Sequence, residues 1–271
     1  MTYPLRLYRS FITKPWAGDR LGRLFPELAA ELPPATGEVI ELCDLPSNSS
    51  VVANGPWRGR SIALLLQTER ASLMGDLPPG PGDFPLCIKL LDTSQPLSIQ
   101  DHPSDQREGG RLVARGKSEC WLVLDAAPGA VIYQGLKPGV TPAAFQAALA
   151  GNQPIDWLNA RAVRAGDFLY NEAGMVHAIG AGIALLEVQQ NSGITWRLWD
   201  FPREGGPREM HVPQGLKAAG FDLPLPPIQT ATGDDTLLAQ QGPFGVRLLQ
   251  PKAARLLAKE WPRFTVFTCT G

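Results

Sequence analysis

The strongest constraint on this chain is its succession of short apolar or alternating runs, each closed off by turn residues. GEVIELCDL (37–45), FPLCIKLLD (84–92), PLSIQDH (96–102), ECWLVLDA (119–126) and AVIYQGL (130–136) all have strand length and strand-like patterning. RAVRAGDFLYNEAGMVHAI (161–179) reads as strand, turn, strand. GIALLEVQQNSGITWRLWDF (182–201) reads as a hairpin around Asn191-Ser192-Gly193. Only two segments read as helices. Residues 61–73 follow Pro56, carry apolar residues at helical period and stop before Gly75. Residues 141–149 begin with Thr141 as N-cap and Pro142 in the first turn, and run to Gly151. Many short strands with few helices imply a mainly β protein, either a sandwich or a double-sheet jelly roll. Glycine (28) and proline (26) make up about a fifth of the 271 residues. That share suits turns and disfavours a helical bundle.

Charge and targeting signals narrow the function. Twenty-five basic and 26 acidic residues give a formal charge of −1, without the basic excess of a general nucleic-acid binder. The apolar runs at 62–66 and 183–186 are far too short to span a bilayer, and the opening MTYPLRLYRSFITKPW lacks a signal-peptide core. Cys43, Cys87, Cys120 and Cys269 have no CxxC spacing and sit among apolar neighbours. They read as buried free thiols of a reducing, cytoplasmic compartment. The Pro-rich stretch LPLPPIQTATGDD is the best linker, so a main domain is expected over 1–222, with a helical insertion at about 56–75. A reduced β segment packed on it is expected over 223–271.

The stretch LSIQDHP holds the most informative chemistry. Gln100 and His102 are two apart in a strand, so both side chains leave the same face. Glu119 opens a strand 17 residues later, after the turn-rich DQREGGRLVARGK, and an antiparallel return would bring it beside that pair. His177 follows Gly174, which allows a tight approach to the next strand. Together Gln100, His102, Glu119 and His177 offer two nitrogen and two oxygen ligands, a set suited to Zn²⁺. A single histidine in a β-rich chain is more often a core or surface residue, so spacing alone leaves the site open.

Several blocks occur in order: KPWAGDRLG, NGPWRGRSIALLL, FPLCIKLLDTSQPLSIQDHPSD, GKSECWLVLDA, GDFLYNEAGMVHAIGAGIALLEVQQNSGITWRLWDF and REMHV. Over roughly residues 5–220 the chain resembles the type I mannose-6-phosphate isomerases of the cupin superfamily. The resemblance implies a cupin-type double-stranded jelly roll with a shortened second β domain. FGVRLLQPKAARLLAKEWPRFTVFTCTG looks like the opening of that domain, which usually continues further. It also implies one Zn²⁺ per chain on Gln100, His102, Glu119 and His177. Arg197 matches a position that points into the substrate cleft, and Ser98, Lys89, Lys117 and Glu187 match positions that line it.

Some positions depart from the family pattern. Glu172 stands where proline is usual, Gly193 where aspartate is usual, and Trp196 where tyrosine is common. Asp101 stands where a small apolar residue is common, and alternation turns it away from the metal. His211 reads as structural or surface. A buried partner of Arg197 is a competing role for Glu187.

The implied reaction interconverts mannose 6-phosphate and fructose 6-phosphate through an enediol. It needs oxyanion stabilisation, a base near the carbon-bound proton and a cationic pocket for phosphate. Arg197, Glu187 and Lys89 are the catalytic candidates, with Glu187 as proton carrier unless a metal-bound water or a lysine serves instead. Ser98 and Lys117 are the substrate-binding candidates. The expected partner is a small sugar phosphate, with no nucleic acid or membrane, in a monomer or weak homo-oligomer. A non-catalytic sugar-phosphate- or metal-binding cupin is the alternative; an oxygenase would more often show a His-rich ligand set.

Overall fold

Strand alternation here serves two facing sheets. The computed structural model describes residues 3–75, 77, 84–151, 153–203, 206, 208–230, 234–240, 243–250 and 264–269. Twelve strands build the two sheets. They are β1 (Ser10–Thr13), β2 (Thr36–Leu42), β3 (Leu86–Thr93), β4 (Ile99–Asp101), β5 (Glu119–Ala126), β6 (Val131–Leu136), β7 (Leu158–Ala162), β8 (Asp167–Asn171), β9 (His177–Ile179), β10 (Ile183–Gln190), β11 (Trp196–Trp199) and β12 (Gln229–Thr230). The larger sheet has the order β1-β2-β3-β10-β5-β8-β12, and the smaller one β7-β6-β9-β4-β11. Neighbouring strands pair antiparallel throughout. This is the expected jelly roll.

Each sheet has an apolar outer face covered by helices. Ile88, Leu90, Cys120, Leu122 and Leu186 pack outward against α1 (Leu21–Leu24), α2 (Pro26–Ala29), α3 (Ile62–Thr68) and α4 (Arg70–Met74). The helix expected at 61–73 thus forms, but it breaks at Glu69, whose φ is −132°. Ser61 caps its start by accepting from the Leu64 N–H. On the smaller sheet, Ile99, Leu158, Val176 and Leu198 pack outward against α5 (Pro142–Ala150) and α6 (Val212–Ala218). Thr141 caps α5 as expected, accepting from the Ala144 N–H.

Between the sheets the interior has two halves. One is apolar: Leu91, Trp121, Val123, Ile132, Leu169, Ile179, Ile183 and Leu185 interlock across the gap. The other is polar and carries the site.

Three sequence expectations change. The segment 182–201 does not form a hairpin, because β10 lies in the larger sheet and β11 in the smaller. The backbone leaves the first sheet at Asn191, whose side-chain amide donates to Asp44 O at 2.6 Å. It then enters the second sheet, where β11 pairs with β4. The Pro-rich linker is built into the body: Gln229 and Thr230 pair with β8, and Arg161 Nη1 donates to Pro226 O at 2.5 Å. Beyond it, a hairpin of Asp235–Ala239 and Val246–Leu249 rests on the outer apolar face through Leu238, Ala239 and Val246. The expected strand region over 251–263 lies outside the described residues. Finally, Cys269 is exposed while the other three thiols are buried. Residues 264–269 alternate half-buried and exposed, and Cys269 falls on the outward beat.

Among the described residues no helix is long and apolar enough to cross a membrane. Leu185, wholly buried in the inner apolar half, gives a test of the two-sheet packing. Leu185→Ala should lower stability by about 2–5 kcal/mol in a urea titration, since the interior cannot collapse onto the lost volume. A loss below about 1 kcal/mol would mean that the sheets do not interlock there.

Candidate metal centre

The polar half of the interior is assembled by register. His177 on β9 stands opposite Gln100 on β4, so both side chains share the inner face of the smaller sheet. Glu119 opens β5 and stands opposite Asn171 and Gln189 on the inner face of the larger sheet. The faces meet where Glu119 Oε1 lies 3.3 Å from His177 Nε2 and its Oε2 lies 3.4 Å from His102 Nε2. All three side chains are about 1% exposed. Their donor atoms lie within 4.8 Å of one another, which makes a possible metal site.

The hydrogen bonds around the imidazoles fix which nitrogen faces inward. His102 Nδ1 donates to Ile194 O at 3.0 Å, and His177 Nδ1 donates to Met175 O at 2.8 Å. With the protons held on Nδ1, both Nε2 lone pairs point at Glu119, the arrangement that outer partners impose on metal-binding histidines. The Asn171 carboxamide lies 2.8 Å from His177 Nδ1 and can brace it only by turning its oxygen to that N–H. Gln100 completes the ring. Its amide donates from Nε2 to His177 Nε2 at 3.2 Å, while Ser98 Oγ donates to its Oε1 at 3.1 Å. A carboxamide carries its oxygen on the same fork, so Gln100 can offer it to a cation.

Protonation also suits a cation. Burial, then Lys117, pushes His102 down to about 4, and burial pushes His177 below its usual range. Burial alone would raise Glu119, but the Lys117 ammonium outweighs it and holds it well below the usual carboxylate range. The site is therefore two neutral imidazoles around an ionised carboxylate, the state that divalent metals need. It already holds a positive charge. The ammonium of Lys117 bonds Glu119 Oε2 and lies 3.0 Å from His102 Nε2. A cation of the chain's own thus stands in the donor set, which shows that the set accepts one.

The remaining candidates divide into two places. Lys89 and Glu187 are cross-strand partners on β3 and β10, with Lys89 Nζ 3.4 Å from Glu187 Oε1. Trp121 Nε1 donates to Glu187 Oε2 at 3.2 Å. Burial works against the charge on Lys89, but Glu187 and then Glu38 outweigh it and hold its pKa above the usual lysine range. Lys89 was expected to face the pocket, and it lies on the inner face. Glu187 is paired with Lys89, not with Arg197. Arg197 stands opposite Gln100 in the register, but its Nη1 donates to Glu209 O at 2.7 Å. Its buried Nε has no hydrogen-bond partner among the described residues, leaving a donor free. Lys117, expected at the substrate, is buried at the metal ligands instead. His211 braces β11, accepting from the Arg197 N–H at 3.3 Å.

The departures leave the ligands in place. Glu172 is exposed in a turn closed by Met175 N on Glu172 O, 3.0 Å. Gly174 in that turn has φ +87°, and a β-carbon there would meet Ala218 O at 2.8 Å. A β-carbon on Gly193 would meet nothing within 4 Å, so sterics do not require glycine there. Asp101 faces away from the metal as alternation demands. It is wholly buried under α6, and burial pushes it up to about 8, so the neutral acid occupies that site. Asn171, Gln189 and Glu38 were missed. Gln189 and Glu38 reach the site only through pairing of distant strands, while Asn171 lies six residues before His177 and contacts it.

No family model matches the chain. It is 34% identical over 254 residues to a mannose-6-phosphate isomerase of Streptococcus mutans, a match covering 90% of this chain and 77% of that protein. It is 35% identical over 224 residues to the mannose-6-phosphate isomerase ManA of Bacillus subtilis, covering 80% and 68%. The crystal structure of a Bacillus subtilis mannose 6-phosphate isomerase superposes with a TM-score of 0.72 at 29% identity, covering 93% of this chain and 78% of that one. Phosphomannose isomerase variants from Salmonella typhimurium share the fold at 16% identity and a TM-score of 0.62. With both curated relatives above 30% identity and covered over more than two thirds of their length, this chain belongs to the mannose-6-phosphate isomerase family.

Proposed function

We propose that this chain is an aldose–ketose isomerase that interconverts mannose 6-phosphate and fructose 6-phosphate through an enediol. The observation that carries this reading is the convergence of a buried His102–Glu119–His177 donor set with the Lys89–Glu187 pair inside one jelly roll. Zinc, one ion per chain, is the metal we assign, held by His102, His177, Glu119 and the Gln100 carboxamide. When bound, it supplies Lewis-acid stabilisation of the oxygen charge that develops in an enediol.

The chain's own groups do the rest. An isomerase of this kind takes the proton from C2 of the open-chain aldose and returns one to C1, while the C1 and C2 oxygens exchange carbonyl and hydroxyl character. Glu187 is our proton carrier. Trp121 and Lys89 fix its carboxylate at both oxygens, so it approaches in one orientation. Lys89 keeps its charge and positions Glu187. Arg197, opposite Gln100 in the register, is the cation we assign to the substrate oxygens. Ser98 orients Gln100, and the Lys117 ammonium beside the ligands adds positive charge for an anionic substrate. The apolar half of the interior keeps bulk water from the other wall, which strengthens each of these charge interactions. Three buried thiols suit a cytoplasmic setting.

The test is metal removal. Zinc-loaded protein should convert either sugar phosphate into the other; after chelation and dialysis turnover should fall by about 100-fold or more and return with added zinc. Full activity without metal would end the metal-dependent reading, and metallated protein that turns over neither sugar would point to a binding protein.

Arg197→Ala should lower turnover by about 100-fold while zinc content stays at one per chain. That range follows the usual cost of losing one preorganised charge-stabilising donor. Near-normal turnover would remove Arg197 from the reaction.

A further inference from the structure

Two of the four cysteines face each other across a pair of strands. Leu42 on β2 stands opposite Ile88 on β3. Continuing the antiparallel ladder by one residue sets Cys43 against Cys87. The two sulfurs meet with Ile40 in one small apolar cluster, walled by Ile12. Backbone hydrogen bonds define what kind of pair this is. Cys43 N–H donates to Ser50 Oγ, and Cys43 O accepts from Ser50 N, each at 2.9 Å. Neither group is used towards Cys87, so the two residues form a non-hydrogen-bonded cross-strand pair. Such pairs bring Cα atoms to about 4.5 Å, inside the window of about 4.4–6.8 Å that a disulfide spans.

The thiols are also unequal. The neighbouring Cys87 thiol pulls the Cys43 pKa down, while Cys43 and burial push that of Cys87 up. One thiol is therefore prepared as the attacking thiolate and the other as the proton-bearing partner. The cover over Cys43 is slight. It is a hairpin of two-residue strands, Asp44–Leu45 and Asn48–Ser49, and the Cys43 S–H donates to Asn48 O at 2.9 Å. A hairpin that short opens at low cost compared with the sheet beneath it. Cys87 lies in the same cross-strand row as Gln189 and Glu119, so the pair sits at the end of the row that leads to the metal ligands.

We propose that Cys43 and Cys87 form a reversible, peroxide-sensitive dithiol that closes to a disulfide between β2 and β3. The Cys43 thiol gives up its proton and the thiolate attacks one oxygen of a hydroperoxide; the O–O bond breaks, the sulfur becomes a sulfenic acid, and the departing hydroxide or alkoxide takes the proton that Cys43 released and leaves as water or alcohol. The Cys87 sulfur then attacks the Cys43 sulfur. Its proton goes to the departing hydroxide, and a second water leaves as the S–S bond forms. Two thiols are oxidised, and one hydroperoxide accepts the two electrons. Two further thiols restore the pair by exchange. The bond would tie together the strands that carry Glu38 and Lys89. It would need no movement of the other two cysteines.

Zinc-loaded full-length protein is treated with hydrogen peroxide, quenched, denatured, alkylated and read by intact mass and peptide mapping. The expected result is loss of two of the four alkylatable thiols, a single cross-linked peptide joining Cys43 to Cys87, and full recovery of all four with dithiothreitol. Cys43→Ser and Cys87→Ser should each abolish the cross-link, while Cys120→Ser and Cys269→Ser should leave it intact. Should a serine variant fail to fold, the peptide map of the unmodified chain decides alone. Four thiols that still alkylate, a cross-link through Cys120 or Cys269, or Cys43 driven to sulfinic acid without a cross-link would each overturn the proposal.

Discussion

An ionised carboxylate that is about 1% exposed is tolerable only where other groups replace the water it has lost. Glu119 is in that position, and the rest of the site follows from it. Taking such an ion out of water costs several kcal/mol. The Lys117 ammonium, bonded to the carboxylate, offsets that cost, and the two neutral imidazoles beside it leave their Nε2 lone pairs for a cation. These partners come from both sheets, so the cluster works only if both registers are held. A slip of one residue would turn His177 or Gln100 to the outer face, where Val176 and Ile99 now pack under the helices. The metal ligands and the hydrophobic core are thus set by the same alternation, read on opposite faces.

The divided interior gives this arrangement its chemical use. On one side, leucines, isoleucines and valines fill the space between the sheets. On the other, Lys89, Glu187 and Trp121 form a row across three neighbouring strands. That row sits next to the one containing Glu119, so a charged pair and a cation-binding set are fixed on one wall. An isomerisation that moves a proton between adjacent carbons needs both within reach of the same small substrate. The overall charge of −1 says nothing of this, because the cations of the site are balanced by carboxylates elsewhere.

Much of this was legible in the sequence, and the exceptions have physical reasons. The strand 119–126 was read with the bounds it has in the structure, and the cap Thr141 follows from local hydrogen bonding. Gln100 and His102 could be paired because strand period is local. Glu119 and His177 required the order of blocks along the chain, since their approach depends on which strands become neighbours. The hairpin expected at Asn191 failed for the same reason. Local turn chemistry was present, but Asn191 bonds to Asp44 and the chain changes sheets. Lys117 was placed at the substrate because it matches a family position that lines the cleft. Its partner, Glu119, is two residues away, where the strand opens. Gln189 and Glu38 carried no signal, because only the pairing of distant strands brings them in.

The central claim is that this donor set holds a divalent metal through two imidazoles and oxygen. X-ray absorption at the zinc edge of the reconstituted protein tests it most directly. The account predicts two imidazole nitrogens at about 2.0–2.1 Å and oxygen at about 2.0–2.2 Å, with no sulfur. A sulfur shell at about 2.3 Å, or fewer than two imidazoles, would contradict it.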